Sequence, residues 1–130
     1  MGLQKMIKQV EDFNRAFDFR VESKPTPIPY KESDLNHKML KEENDEYLEA
    51  CDLGDLVETA DAIGDELYIV LGKVIKHGLQ DKIAEIFSEI HLSNMSKLEN
   101  GKVLKNSDGK AMKGKDYFKP NIKAILEKSK

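Results

Sequence analysis

The chain has 130 residues and a mass of 14.8 kDa, which is enough for one domain around one hydrophobic core. Its 21 basic and 24 acidic residues give a net charge of −3, which excludes a general electrostatic attraction to nucleic acid or to an anionic membrane. The sequence has one cysteine, Cys51, no apolar run near the ~20 residues that span a bilayer, and no secretory signal pattern. We therefore expect a single cytoplasmic domain, residues 1–130, without an internal disulfide, a cysteine-rich zinc site or a membrane span.

An amphipathic helix is predicted at the start of the chain, from about residue 2 to residue 20. Its apolar side chains recur at spacings of three and four residues, at Ile7, Val10, Phe13 and Phe17. The segment 25–29 contains three prolines and cannot continue this helix, because proline lacks the amide hydrogen and clashes with the preceding turn. We expect this segment to be an extended connector to a second helix.

The second and third helices are predicted to form an antiparallel pair joined by a short turn. The second helix begins at an N-cap, Ser33 or Asp34, and ends near Cys51. Gly54 then provides the turn, and Asp55 caps a third helix that extends to about residue 77. Residues 67–71 are apolar on every side of this third helix, so we predict that it is the central helix of the fold.

A fourth helix is predicted to begin at Asp81 as its N-cap, and its core stripe is predicted to consist of Ile83, Phe87 and Ile90. After about Leu98 the chain becomes rich in lysine and glycine, which is typical of a loop or a short hairpin. Pro120 and Asn121 then precede a short closing helix. The predicted fold class is all-α, an antiparallel helical bundle with a lysine-rich C-terminal loop segment.

Carboxylates gather on single faces of the second and third helices. At about 100° per residue, one arc of the second helix, next to apolar positions, contains Glu42, Glu43 and Glu46. On the third helix, an i, i+3, i+7 pattern places on one face Glu58, Asp61 and Asp65. Carboxylates on partly apolar faces repel one another and lose hydration, and a bound cation is the usual compensation. Oxygen ligands on rigid helices suit Mg²⁺, with Mn²⁺ as a substitute.

These acidic residues allow two other interpretations. Acidic helix faces are commonly solvated surfaces, in which case they bind no metal. A di-iron carboxylate bundle needs Glu-x-x-His pairs, and no glutamate stands three residues before His37, His77 or His91. The iron site is therefore disfavoured, whereas two acidic faces on either side of one short turn favour a magnesium site over a solvated surface.

A second polar cluster follows the fourth helix. The predicted apolar stripe continues in phase to Asn94 and Lys97, and polar groups that continue such a stripe need partners or face a cavity. Several loop lysines come next, including Lys110 and Lys113. Lysines beside a metal site suit a polyphosphate, while the alternative for the loop lysines is a solvated, charged loop.

These motifs resemble the all-α nucleoside triphosphate pyrophosphohydrolase superfamily, which includes MazG, dimeric dUTPase and phosphoribosyl-ATP pyrophosphohydrolase. The signature of this superfamily is Glu-Glu-x-x-Glu on one helix and Glu-x-x-Asp on the next, which match residues 42–46 and 58–61. Within this superfamily, the chain resembles the phosphoribosyl-ATP pyrophosphohydrolase-like, MazG-related branch at residues 61–72, 94–97, 109–114 and 117–120. The resemblance covers most of the chain, from about Val10 to Asn121.

The resemblance implies a role for each candidate residue. The implied metal ligands are Glu42, Glu43, Glu46, Glu58 and Asp61, and Asp65 is either a further ligand or holds a substrate group. The residues implied to contact sugar or phosphate, or to close over the nucleotide, are Asn94, Lys97, Lys110 and Lys113. Members of the branch act on different nucleotides, so the resemblance leaves the base open.

Our leading hypothesis is Mg²⁺-dependent hydrolysis of a nucleoside triphosphate between its α and β phosphates, with non-canonical nucleotides among the candidate substrates. Glu43 or Glu46 is the candidate general base. A non-catalytic helical interaction module and a metal-dependent nucleotide sensor are the alternatives. The apolar central helix also predicts a homodimer or a dimer of dimers. No membrane or nucleic-acid partner is expected.

Overall fold

The computed structural model describes residues 1–110 and 112–128. It contains the helices α1 (Leu3–Ala16), α2 (Tyr30–Asp52), α3 (Leu56–Lys76), α4 (Ile83–Met95) and α5 (Ile122–Glu127). No β-strand occurs in these described residues, which contain one isolated antiparallel bridge, between Glu99 and Lys102. The predicted all-α fold class is confirmed. The chain divides into two compact units, Met1–Asp81 and Lys82–Lys130.

The first unit is a three-helix arrangement in which α3 packs against both α2 and α1. Its core consists of the apolar residues Ile7, Val10, Ala50, Ala62, Leu71, Val74 and Ile75. The turn between α2 and α3 contains Gly54 at a φ of 67°, a left-handed conformation that glycine adopts without steric cost. Asp55 Oδ1 then accepts a hydrogen bond from the Glu58 amide at 3.1 Å, which confirms the predicted N-cap of α3.

The first helix ends four residues earlier than the predicted boundary. Asp18 adopts a φ of 57°, and the Phe19 amide donates to the Asn14 carbonyl at 2.8 Å, so the chain leaves the helical path at this point. The predicted connector follows and packs along the end of α3. The Glu22 amide donates to the Ile75 carbonyl at 3.1 Å. The start of the second helix is therefore held close to the end of the third.

The predicted N-cap of the second helix, Ser33 or Asp34, is wrong. Helix α2 begins at Tyr30, with Pro29 as its N-cap residue, and the Ser33 amide already donates to the Pro29 carbonyl at 3.2 Å. Pro29 has a ψ of 146°, which lies outside the helical range, and its carbonyl accepts the first hydrogen bonds of the helix. The sequence pattern pointed instead to Ser33 and Asp34, whose side chains are the usual caps.

The second unit contains α4 and α5, which pack on each other. The predicted stripe of α4 is wrong, because the side chains buried on this helix are Ile86 and Ser93, while Phe87 is 70% exposed. The cap residue of α4 is Lys82 rather than Asp81. Apolar residues occupy several sides of this helix, so their spacing does not determine which side is buried. The predicted closing helix is confirmed, with Asn121 Oδ1 accepting from the Ala124 amide at 3.2 Å.

The segment between α4 and α5 is a loop with tight turns. Asn106 Oδ1 accepts hydrogen bonds from the amides of Asp108 and Lys110, and Gly109 has a φ of 80°. The predicted lysine-rich loop is thus present over its described part. Across the described stretches of the chain, every helix is too short or too polar to span a membrane.

Candidate functional site

The central feature of the first unit is a half-buried carboxyl group, that of Glu43 on α2. Glu46 follows one turn later on the same helix, and Asp65 approaches from the antiparallel helix α3. Glu46 and Asp65 are near enough to raise the pKa of Glu43, because α2 and α3 run side by side after the short turn at Gly54. The predicted convergence of the two helices is therefore seen at this point.

The Glu43 carboxyl has a strongly perturbed acidity. Its pKa is raised from the ordinary value of 4.5 to about 7 by burial first, then by hydrogen bonding to the Glu46 carboxyl and by the negative charges of Asp65, Glu46 and Glu42. Its Oε2 atom is buried, and among the described residues no N–H or O–H donor reaches it. Near neutral pH, this side chain therefore exchanges a proton readily and has an oxygen free to accept an external positive group.

A second group of carboxylates lies next to the first and shares Glu46 with it. Glu46, Glu58 and Asp61 line one cleft of about 180 Å³ between the end of α2 and the start of α3. Glu49 and Asp55 line the same cleft, although the sequence patterns did not select them as ligands. The sequence does indicate that Glu49 shares a face of α2 with Glu46, because it stands three residues later on the same helix.

Glu42 lies apart from this cleft. Its side chain is exposed and lines a shallow surface together with Lys38, Lys41 and Asp45, and Glu46 and Glu49 line both this surface and the cleft. Lys41 Nζ forms an ion pair with Asp45 at 3.0 Å there. Glu42 still contributes negative charge to the environment of Glu43. The predicted set thus falls into two adjoining groups with Glu46 common to both, and Glu42 lies at their edge.

The fit of this site to a divalent cation depends on its donor chemistry. No cluster of three or more histidine, cysteine, aspartate or glutamate side chains in the described residues is close enough together to hold a metal ion as the side chains stand. The donors that line the cleft are nevertheless carboxylate oxygens, which Mg²⁺ prefers. The buried Oε2 of Glu43 also lacks a donor and is an acceptor that a cation would satisfy. The chemistry of the residues fits a magnesium ion, and a ligand set would require changes of side-chain rotamer.

The remaining predicted residues belong to the second unit. Asn94 is exposed and Lys97 is half-buried, and the Lys97 amide donates to the Asn94 carbonyl at 3.2 Å. Lys110 and Lys113 are exposed on the loop, and Lys113 Nζ lies 4.9 Å from the centre of the Tyr117 ring. The buried polar side chain of this region is Ser93 instead, whose hydroxyl donates to the Phe118 carbonyl at 2.8 Å. The assignment of the four residues to substrate binding stays a prediction.

One comparison with known proteins identifies a family. The model of the family described as phosphoribosyl-ATP pyrophosphohydrolase matches residues 10–94, from within α1 to within α4. The matched region includes every carboxylate of both groups described above, whereas the lysine-rich loop lies beyond it. No curated protein matches the chain significantly.

Proposed function

Since the chain belongs to the phosphoribosyl-ATP pyrophosphohydrolase family, whose members are hydrolases acting on phosphoric anhydrides, we propose that it hydrolyses a nucleoside triphosphate between the α and β phosphates. The products are a nucleoside monophosphate and pyrophosphate, and the reaction depends on Mg²⁺. The observation that carries this proposal is the Glu43 carboxyl, which is half-buried among other carboxylates, has a pKa of about 7 and leaves Oε2 without a donor.

The residues proposed to hold the ion are the carboxylates of both groups: Glu43, Glu46, Glu58, Asp61 and Asp65, with Glu42 at the edge. When bound, Mg²⁺ neutralises the charge that develops on the phosphoryl oxygens and lowers the pKa of a coordinated water. In the absence of the ion, burial, hydrogen bonding to Glu46 and the charges of the neighbouring carboxylates together raise the pKa of Glu43 to about 7. A divalent cation and this proton therefore compete for the same group.

The proton of the attacking water needs an acceptor that the same pair of glutamates provides. A carboxylate whose pKa lies near the working pH is an effective general base, because it is partly ionised and still basic. Glu43 meets this condition, and its hydrogen bonding to Glu46 lets the pair hold one transferred proton between them. The carboxylate of either residue is able to receive the proton, so we assign the role of general base to Glu43 and Glu46 jointly. Asn94, Lys97, Lys110 and Lys113 are proposed to contact the sugar and the phosphates.

We also propose a homodimer, formed through an apolar groove on the α2–α3 pair. This groove of about 650 Å³ is lined by Leu40, Ile63, Leu67 and Val70, with lysines and Glu66 among its polar groups. Leu67 is 45% exposed and Val70 is 40% exposed in the single chain. Glu66 Oε1 is buried with no hydrogen-bond partner in the described residues, and a lysine of a second copy is a suitable partner for it. An isologous contact here extends the helix pair to a four-helix bundle.

The proposed reaction is tested by identifying its products with ³¹P NMR. Purified protein is incubated with Mg²⁺ and a panel of canonical and damaged ribo- and deoxyribonucleotides. Cleavage between the α and β phosphates gives a monophosphate and pyrophosphate, whereas cleavage at the γ phosphate gives a diphosphate and inorganic phosphate. The second outcome, or no reaction with any nucleotide, contradicts the proposal. Nucleotide binding without products instead indicates a sensor, and binding of neither nucleotide nor metal indicates an interaction module.

A further inference from the structure

A small cavity lies between α1, α2 and α3, outside the carboxylate groups. It has a volume of about 70 Å³, and its lining includes the rings of Phe13, Phe19 and Tyr68 together with the polar groups of Asn36 and Lys76. Aromatic walls with a few polar groups are typical of sites for flat organic ligands. A volume of this size admits the edge of a heterocyclic ring but not a whole nucleoside.

The Asn36 side chain is fixed in orientation and has a free donor. Only 5% of this residue is exposed, and Lys76 Nζ donates a hydrogen bond to its Oδ1 at 2.9 Å. Because an ammonium group donates and never accepts, the amide oxygen must face Lys76. The Nδ2 group is then directed elsewhere, and it is buried without a hydrogen-bond partner among the described residues. A buried, unpaired N–H₂ group in a cavity wall calls for a ligand that carries an acceptor.

The cavity continues the row of side chains that leads to the carboxylates. On α2, Asn36, Met39 and Glu43 follow at i, i+3 and i+7, and on α3 Tyr68 and Gly72 follow Asp65 at i+3 and i+7. Seven helical residues rise about 10 Å, so the amide of Asn36 lies roughly one nucleotide length from the Glu43 carboxyl along the helix. A molecule with phosphates at the carboxylates and a ring at the cavity fits this spacing.

We propose that this cavity receives the edge of the nucleobase and that Asn36 Nδ2 donates a hydrogen bond to a ring carbonyl oxygen. The site then prefers bases with a keto group at that edge, such as uracil or hypoxanthine, over cytosine or adenine. Cytosine and adenine present an exocyclic amino group there, which is a second donor facing Nδ2 and leaves both groups unpaired. The inference rests on the proposed function for the phosphate end of the same molecule.

A substitution at Gly72 offers a second, independent test of the cavity. A Cβ atom built on Gly72 would meet Val10 Cγ1 at 4.0 Å, which is ordinary van der Waals contact, so Gly72→Ala adds a methyl group at the cavity wall without a clash. Gly64 lies in the same helix, and a Cβ there has nothing within 4 Å. Gly64→Ala is therefore the matched control, because both substitutions raise helix propensity equally but Gly72→Ala alone of the two narrows the cavity.

The test compares two pairs of nucleotides whose bases carry either a keto or an amino group at the same ring position: UTP with CTP, and ITP with ATP. Pyrophosphate release gives kcat/KM for each triphosphate, and calorimetric titration of the matching monophosphates with Mg²⁺ present gives affinities that need no turnover, because a monophosphate has no phosphoanhydride bond to cleave. Wild-type protein is expected to favour the keto partner about tenfold, the value of one hydrogen bond made rather than left unpaired. Asn36→Asp keeps one oxygen paired with Lys76 and replaces the Nδ2 donor by a second oxygen, which is an acceptor. The variant is therefore expected to prefer the bases with an amino group over those with a keto group. Gly72→Ala is expected to weaken binding of the preferred base, and Gly64→Ala to leave the preference unchanged.

Each outcome decides between the two proposals. Turnover with equal keto and amino rates, unaltered by Asn36→Asp, overturns the assignment of the cavity and leaves the pyrophosphohydrolase proposal standing. Monophosphate binding with an Asn36-dependent keto preference, but without pyrophosphate release from any triphosphate, supports the cavity assignment and overturns the proposed reaction. An unaltered affinity for the preferred base in Gly72→Ala also overturns the cavity assignment, because the added methyl group then narrows a space that the base does not use.

Discussion

Replacing Glu43 by glutamine is expected to stabilise the protein at alkaline pH and to do so far less at acidic pH. The native carboxyl has a pKa of about 7, whereas in the unfolded chain the value is close to 4.5. Between these two pH values the native state binds more protons than the unfolded state, so the stability of the wild type falls as the pH rises from about 4.5 to about 7. Glutamine keeps the shape of the protonated group and removes this titration.

The size of the effect follows from the same two values. A pKa difference from 4.5 to about 7 corresponds to at most ~3 kcal/mol, and solvent access to a half-buried side chain reduces the expected gain to ~1–2 kcal/mol at pH 8. For a chain of this length, each kcal/mol moves the midpoint of thermal unfolding by roughly 4 °C. We therefore expect Glu43→Gln to raise the midpoint by roughly 4–8 °C at pH 8 and by a quarter of that at pH 5.

Thermal unfolding followed by circular dichroism, in metal-free buffer at both pH values, measures this difference. Asp45→Asn is the matched control, because Asp45 is an exposed carboxyl on the same helix and is paired with Lys41 at 3.0 Å. It is expected to shift the midpoint little and equally at both pH values. An equal effect of Glu43→Gln at pH 5 and pH 8, or a lower midpoint at pH 8, would contradict a raised pKa of Glu43 in the native protein.

Three further predictions concern the framework around the site. Ile75→Ala should lower the free energy of unfolding in urea by ~3 kcal/mol, because Ile75 is fully buried; a loss below ~1 kcal/mol would contradict this packing. Gly78→Ala should lower the free energy of unfolding in urea by ~2–3 kcal/mol, because φ at this position is 68° and the new Cβ would overlap the Lys24 carbonyl. Gly54→Ala has a similar φ but open space around the new Cβ, so it should lower the free energy of unfolding by less. Leu67→Glu should dissociate the proposed dimer in sedimentation, and an unchanged mass would place the interface elsewhere.

The approach of Asp65 on α3 to Glu43 on α2 was predictable because it depends on local periodicity. The positions of Glu43 and Asp65 follow from 3.6 residues per turn, and the short turn at Gly54 forces the two helices to run antiparallel. The same rule failed on α4, where apolar residues surround the helix and the packing of the folded chain buries Ile86 and leaves Phe87 exposed. Periodicity indicates a face only when the opposite face is polar.

The polar pair in the small cavity was not predictable from the sequence. Lys76 and Asn36 are separated by 40 residues and meet because the end of α3 lies beside the first half of α2 in the antiparallel pair. No local spacing rule relates two residues so far apart, and neither belongs to the motifs that the sequence displays. The buried Ser93 was hidden for a similar reason, since its partner is the Phe118 carbonyl in the loop that follows.

Pyrophosphate release in the presence and absence of Mg²⁺ shows whether the carboxylates around Glu43 catalyse the reaction, with wild type, Glu43→Gln and Asp45→Asn measured side by side. We expect release by the wild type and by Asp45→Asn with Mg²⁺, no release with EDTA, and a loss of at least ~100-fold in Glu43→Gln. Equal release by Glu43→Gln and the wild type, or release that persists in EDTA, would contradict a magnesium-dependent reaction at this carboxylate cluster.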